Sequence, residues 1–283
     1  MKKITLLLTL VFAVTILAGC NQRANPATSQ GSAAPPANRL ERILADSQII
    51  MATSPDFAPF IFMHPERSGQ EAIIGSDAEL ARHIANELGV ELVIESMDFG
   101  TSLAAVQAGT VDMFIGGLAW REDRAEAMML SSSYLPPTYQ GIMVLAARAN
   151  ELRYAEDFDG LTIGAQNASL QQDNVENQLP NANLQLVTTV SDGIMMLLTG
   201  SIDALAMSGT VGDQYVRNYP MLAMSEFHFE LHPNLGQVIA MPNGSQELFD
   251  AIEEILAYIN ENGLYDIWFE EANALADEFA LDN

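Results

Sequence analysis

The sequence predicts an α/β protein built as two similar lobes with a ligand cleft between them. Three observations carry this expectation. From about residue 47 onward, short apolar strand-like runs alternate with helical patterns, as in parallel sheets flanked by helices. A stretch around Gly109 recurs 91 residues later around Gly200. The length of 283 residues, with 49% hydrophobic side chains, suits roughly two compact cores and is too apolar for a disordered chain.

Residues 1–20 read MKKITLLLTLVFAVTILAGC. Lys2 and Lys3 precede an apolar run from residue 4 to 18, too short for a comfortable membrane span, and small residues lead into Cys20. This is the layout of a signal peptide. Leu17-Ala18-Gly19-Cys20 resembles the bacterial lipoprotein box, which implies a lipidated Cys20. A single cysteine also excludes a disulfide framework and a multi-cysteine zinc site. The Ala/Pro/Ser/Asn-rich stretch 21–38 has no apolar periodicity and reads as a flexible tether.

Strands are expected over 49–53 and 90–95. Between them Ser76 and Glu79 form a capping-box pattern, Leu80, Ile84 and Leu88 recur at helical spacing, and Gly89 supplies the stop. A second helix over about 101–108 ends at Gly109 and leads into an apolar strand over 111–115. The internal echo lies here: Gly109-Thr110-Val111-Asp112 before Met113-Phe114-Ile115 matches Gly200-Ser201-Ile202-Asp203 before Ala204-Leu205-Ala206. Each copy follows an apolar helix and ends in a small-residue corner, Gly116-Gly117 or Ser208-Gly209. Ligands in open parallel sheets sit beyond the carboxyl ends of the strands, so Gly117 and Ser208 are expected to face one another across the cleft. Leu248, Ile252, Ile255 and Ile259 predict a packing helix over about 245–262, ending at Gly263. Trp268 and Phe269 beyond it read as core.

The charge excludes several function classes. Twelve Lys+Arg stand against 37 Asp+Glu, and beyond Lys3 every cation is an arginine. A nucleic-acid backbone binder needs clustered cations, so nucleic acid is excluded as a partner. Lysine Schiff-base chemistry and a phosphate-loop lysine are excluded as well. No nucleophile elbow, zincin motif or dinucleotide glycine motif occurs, so no cofactor is expected.

Taken together, several stretches resemble the extracytoplasmic solute-binding proteins of polar-amino-acid ABC transporters. Residues 50–60, IMATSPDFAPF, look like that family's opening strand and aromatic loop, and Gly75-Ser76-Asp77-Ala78-Glu79-Leu80-Ala81 is similar to its first helix start. Met97-Asp98-Phe99, Leu103, Gly109, Asp112 and the run from Gly117 to Arg124 continue in register. Gly164-Ala165-Gln166, the Ser169 helix start and the Gly200 stretch follow, so that the likeness spans about residues 47–270. The resemblance implies a two-lobed periplasmic-binding-protein-like fold of type II, with its cleft between lobes joined by hinge strands. The implied layout is a signal peptide over 1–19, Cys20 and tether over 20–40, one lobe from 41–146 plus 238–283, and a second from 147–237. It also implies a lipid-anchored, extracytoplasmic monomer that captures an amino acid or close derivative and delivers it to a permease and its ATPase. The competing expectations are a dehydratase-like enzyme on the same fold and a ligand-sensing lipoprotein.

The same resemblance assigns roles to residues. Arg124 falls on the arginine that clamps the substrate carboxylate, a task suited to the guanidinium fork. Gly117 and Ala119 match backbone positions of that pocket, and Arg121 is expected to be exposed. Ser169 matches a helix N-terminus that meets the same carboxylate, and with Gln172 it forms a capping-box pattern. Phe57 and Phe99 match the aromatic pair that sandwiches the substrate side chain, whereas Phe60 is expected to pack. Ser208 and Ser54 stand where the family often has acids for the substrate ammonium. Either Asp56 or Glu79 therefore supplies the anion, or the ligand is not a simple zwitterionic amino acid. His228, Glu230 and His232 share one face of a possible strand, a spacing open to metal ligation or to plain solvation; no metal site is assigned.

Overall fold

The structure is a computed structural model that describes residues 36–231 and 236–281. Cys20 and the tether up to Pro35 lie outside the described residues, as does His232. Within the described residues the chain opens with α1 (Arg39–Asp46), whose N-cap Asn38 accepts the Glu41 N–H at 2.8 Å. It continues through β1 (Gln48–Thr53), the short β2 (Asp56–Phe57), β3 (Ile61–Met63) and β4 (Ile73–Ile74), then α2 (Ser76–Leu88) and β5 (Glu91–Ser96). Next come α3 (Phe99–Ala108), β6 (Met113–Phe114), α4 (Glu122–Ala127) and β7 (Met129–Leu130). The chain then crosses to β8 (Gln140–Leu145), β9 (Thr162–Gln166), α5 (Leu170–Gln178), β10 (Asn183–Val187), α6 (Val190–Leu198), β11 (Ala204–Ser208), α7 (Gly209–Asn218) and β12 (Leu222–His228). It returns to finish in β13 (Ala240–Met241), α8 (Gln246–Asn262) and α9 (Leu264–Leu281).

Two five-stranded sheets result, in the orders β5-β1-β6-β13-β7 and β10-β9-β11-β8-β12. Both share one plan. Three strands run parallel, and the fourth, β13 or β8, is antiparallel to its neighbours. The odd strand is in each case the one that has just arrived from the other lobe, which is why it enters in the opposite sense. The sheets are therefore mixed and not purely parallel. The boundary expected at residue 146 also falls too late, because β8 already pairs with β11 and β12. The two crossings touch: Gln237 N–H donates to the Leu135 carbonyl at 2.9 Å, and Tyr134 N–H to the Gln237 carbonyl at 3.0 Å.

The 91-residue echo has a physical basis. Asp112 Oδ2 accepts the N–H of Ile50 in β1 at 2.9 Å, and Asp203 Oδ2 accepts the N–H of Thr162 in β9 at 2.9 Å. Each aspartate also meets arginine from outside its sheet: Asp112 meets Arg39 and Arg42, and Asp203 meets Arg148. Gly109 and Gly200, with φ of 72° and 73°, make the left-handed turn that brings each helix into its strand. In the first lobe the strand after that turn is shorter than expected, with only Met113 and Phe114 in regular pairing.

Helix starts account for another difference. Ser76 is the first residue of α2 and not its cap; Gly75, at φ 119°, holds the cap position. A Cβ on Gly75 would lie 2.3 Å from the Phe60 carbonyl oxygen, so the serine cannot move back one place. Ser76 Oγ instead lies 3.0 Å from the Tyr265 hydroxyl, and Glu79 pairs with Arg82. At the other end of α2, Gly89 closes the helix in the left-handed conformation, as Gly263 does for α8.

The first core gathers Ile49, Met51 and Ile84 with Leu248, Ile252 and Ile259 of α8. A second collects Met143, Ile194, Leu197, Leu205 and Met207, and also takes in Phe60. Each such aliphatic side chain contributes about 1.5–3 kcal/mol by burial. Phe60 and Phe269 approach at 5.5 Å between ring centroids, and Phe269 packs against both cores, as expected for core residues. The last helix, α9, packs on α2 of the first lobe and α7 of the second.

Candidate functional site

A cleft of about 610 Å³, including its open mouth, lies where the carboxyl ends of the two sheets meet. Asp56, Phe57, Phe99, Gly117, Ala119, Arg124, Ser169 and Ser208 all line it. The two corners, Gly117 after β6 and Ser208 ending β11, therefore share one cavity wall.

Arg124 sits in the short α4 and is only 5% exposed. Its Nη1 donates to the Ala119 carbonyl at 2.7 Å, and its Nη2 crosses to the second lobe, donating to the Ala168 carbonyl at 2.9 Å. The guanidinium lies 5.6 Å from the Phe99 ring centroid, a cation–π distance. Burial, with Arg121 beside it, presses its pKa below the usual guanidinium value. Among the described residues no carboxylate forms an ion pair with Arg124: its hydrogen bonds go to backbone carbonyls, and Asp123 and Asp173 act on it only at longer range. Such a group is stabilised by any anion that can reach it.

Arg121 is not free at the surface. Its side chain is 18% exposed, pairs with Asp123, and reaches across the cleft mouth to Asp173 and the Ser169 carbonyl. Sequence reasoning missed this because the partner lies fifty residues away on α5. Ser169 caps α5, with Oγ accepting the Gln172 N–H at 3.2 Å. Gln172 does not return the bond to the cap itself; its Oε1 accepts the Ala168 N–H.

Phe57 lies flat against Gly117. That glycine has φ 63°, and a Cβ there would fall 2.4 Å from Phe57 Cε1, so both conformation and contact require glycine. The Gly117 N–H donates at 2.7 Å to Asp77 Oδ2, which also accepts from Tyr134, while Asp77 Oδ1 accepts from Tyr265 at 2.6 Å. Complete burial pushes the Asp77 carboxyl up to about 6, although these three bonds pull the other way. Asp77 thus fixes the corner from behind. Its place in the helix-start motif was readable in the sequence, but its partners were not.

Asp56 is a carboxylate on the cleft wall. Oδ1 accepts from Ser54 Oγ at 2.7 Å, and Oδ2 accepts at 2.6 Å from the N–H of Val190, the first residue of α6 in the other lobe. Burial raises its pKa. Glu79, the other candidate anion, does not line the cleft; it is bound to Arg82 on the outer side of α2. Ser208 Oγ lies 3.3 Å from Thr138 Oγ1 and makes no cap bond to α7. His228 packs against Tyr139 at a tilt, with 4.5 Å between ring centroids, and the Glu230 N–H donates to Gln178, so these residues are engaged in packing and backbone bonding. Among the described residues no group of three His, Cys, Asp or Glu is placed to hold a metal ion. Gln140, Gln166, Gln171 and Gln237 also line the cleft. Of these only Gln166 lay in a motif, and isolated glutamines carry no periodic signal.

The bacterial extracellular solute-binding proteins, family 3, match this chain over residues 49–271, and the chain belongs to that family. Its two lobes have the type II periplasmic-binding fold. The arginine-binding extracellular protein ArtP of Bacillus subtilis is 24% identical over 218 residues, covering 76% of this chain and 82% of ArtP. A glutamine-binding protein of Geobacillus stearothermophilus is 25% identical, covering 71% and 78%. Among solved structures, AbpA of Streptococcus pneumoniae, an amino acid ABC transporter substrate-binding protein bound to L-arginine, superposes with a TM-score of 0.79. It is 30% identical, with 83% of this chain and 98% of AbpA covered.

Proposed function

We infer that this protein is the substrate-binding component of an amino-acid ABC importer, which captures its ligand by lobe closure and hands it to a permease and ATPase. The single observation that carries the reading is Arg124: a buried guanidinium at the junction of two lobes, hydrogen-bonded to the Ala119 and Ala168 carbonyls and, among the described residues, in no ion pair. A ligand α-carboxylate there gains paired charge-assisted hydrogen bonds, each worth roughly 1.5–3 kcal/mol. Gly117, its N–H held by Asp77, shapes the corner beside it, Ala119 offers its backbone there, and Ser169 brings the N-terminus of α5. Phe57 and Phe99 supply the aromatic walls, and Ser208 a neutral hydroxyl. Asp56 takes the ligand ammonium, in place of the acids that Ser54 and Ser208 have replaced. Binding and release suffice for this role, so the protein acts as a carrier and not as an enzyme.

The signal-peptide layout and the lone Cys20 support a lipid anchor on the extracytoplasmic face, with residues 21–38 as a tether. Cys20→Ser is expected to release the protein from membranes on fractionation, and unchanged partitioning counts against lipidation. The transport reading is tested by a thermal-shift screen against the amino acids. A ligand at a hundred times its Kd adds about 2.7 kcal/mol. Arg124→Ala is expected to abolish binding of the hits; near-normal affinity in titration calorimetry would sink the clamp.

A further inference from the structure

The uncharged part of the cleft wall is rich in amides. Gln140, Gln166 and Gln171 come from the second lobe and Gln237 from the return crossing. The first three are tied: Gln171 Nε2 donates to Gln140 Oε1 at 2.6 Å, Gln140 Nε2 to the Thr138 carbonyl at 3.3 Å, and Gln166 Nε2 to the Thr188 carbonyl at 3.3 Å. Gln237 differs. It is 6% exposed, and its Oε1 has no hydrogen-bond partner among the described residues. Its backbone is held to the other crossing at Tyr134 and Leu135, which places the residue on the cleft wall. A buried acceptor without a donor is costly, and a ligand N–H at this point removes the cost.

The charged side chains on the cleft wall are Arg124 and Asp56, and Arg121 at the mouth is already matched by Asp123 and Asp173. One guanidinium and one carboxylate suit a ligand with one carboxylate and one ammonium. A second cation on the ligand would be enclosed with neutral partners only. The Ser208 hydroxyl, unlike an aspartate, can donate to a ligand carbonyl oxygen.

We propose that the cleft selects a net-neutral α-amino acid whose side chain ends in an amide or ureido group, with Gln237 Oε1 accepting its N–H. This rests on the amino-acid reading above. Citrulline and arginine make the sharpest pair of probes, since they share a shape and differ by one charge. Titration calorimetry of the full chain is expected to show citrulline or glutamine binding roughly tenfold or more tightly than arginine. Gln237→Leu should lower citrulline affinity about tenfold while sparing norvaline, which has no terminal amide. Gln237→Glu keeps the shape, adds the missing second carboxylate, and should move the citrulline-to-arginine ratio about tenfold toward arginine. Tighter binding of arginine than of both citrulline and glutamine by the natural chain overturns the proposal but leaves the amino-acid reading standing. A ratio unmoved by both variants does the same. Failure of every α-amino acid to bind overturns both.

Discussion

Asp56 of the first lobe accepts the backbone N–H of Val190, where α6 of the second lobe begins, at 2.6 Å. The bond places a carboxylate on the positive end of a helix and joins the lobes through it. Arg124 with Ala168 and Arg121 with Asp173 are two further ties across the same cleft. The lobes are thus described in a closed arrangement, held by groups that also line the ligand cavity or border it.

Asp56→Ala removes both the tie to α6 and the proposed ammonium partner. Ligand affinity should fall by roughly 1.5–3 kcal/mol, the range for a charge-assisted hydrogen bond. Asp56→Asn keeps an acceptor for Val190 but loses the charge, so most of the affinity loss should persist. Calorimetry in which the asparagine variant binds normally would remove Asp56 from the site.

Arg121→Ala opens the clasp at the mouth while leaving the cavity wall intact. The pair is partly exposed, so a loss of about 0.5–1 kcal/mol in ligand affinity is expected, shrinking further at high salt. Small-angle scattering should show the unliganded variant more extended than the natural protein. Identical scattering and affinity would mean that the clasp contributes nothing to closure.

Gly117→Ala demands a positive φ of a residue with a Cβ and drives that atom into Phe57. The expected cost is about 1–3 kcal/mol in stability by denaturant unfolding, together with weakened ligand binding as Phe57 is displaced. A variant with normal stability and normal affinity would show that the corner is more pliable than its contacts indicate.

Asp77 should leave a signature in pH dependence. Its carboxyl is raised from 3.8 to about 6 in the folded protein. Between those values the folded state keeps a proton that the unfolded chain has released, so the Asp77 contribution to stability declines as pH rises through the window and is level on either side. The stability difference between the natural protein and Asp77→Asn should therefore shift against the natural protein by roughly 2–3 kcal/mol from pH 3.5 to pH 6.5. Urea unfolding of both across that range checks it, and a constant difference would mean that burial does not raise the Asp77 pKa.

The fold was legible wherever a local pattern was enough. The apolar spacing of α8, the stops at Gly89 and Gly263, and the Asp112 and Asp203 echo needed only neighbouring residues. Asp56, Phe57, Phe99, Gly117, Ala119, Arg124, Ser169 and Ser208 line the cleft and Glu79 does not, and several of their partners come from far along the chain. Arg121 could not be matched to Asp173, nor Asp77 to Tyr265, because such pairs follow from the packing of lobes and not from spacing. Ser76 misled for a related reason: its pattern fits a cap, but Phe60 occupies the space where the preceding residue's side chain would be. Gln237 left no trace, since a lone glutamine acquires meaning only when its acceptor is buried without a donor.

Helix α9 is a rod about 27 Å long by its residue count, laid across the seam and fastened on both sides. On the second lobe, Gln214 and Arg217 of α7 both hold Asp277; on the first, Tyr265 bonds Ser76 and Asp77 at the start of α2. A strut pinned at two points resists sliding and separation far more than it resists tilt. Movement of one lobe against the other is therefore expected as a change of angle about this strut and not as a slide along it.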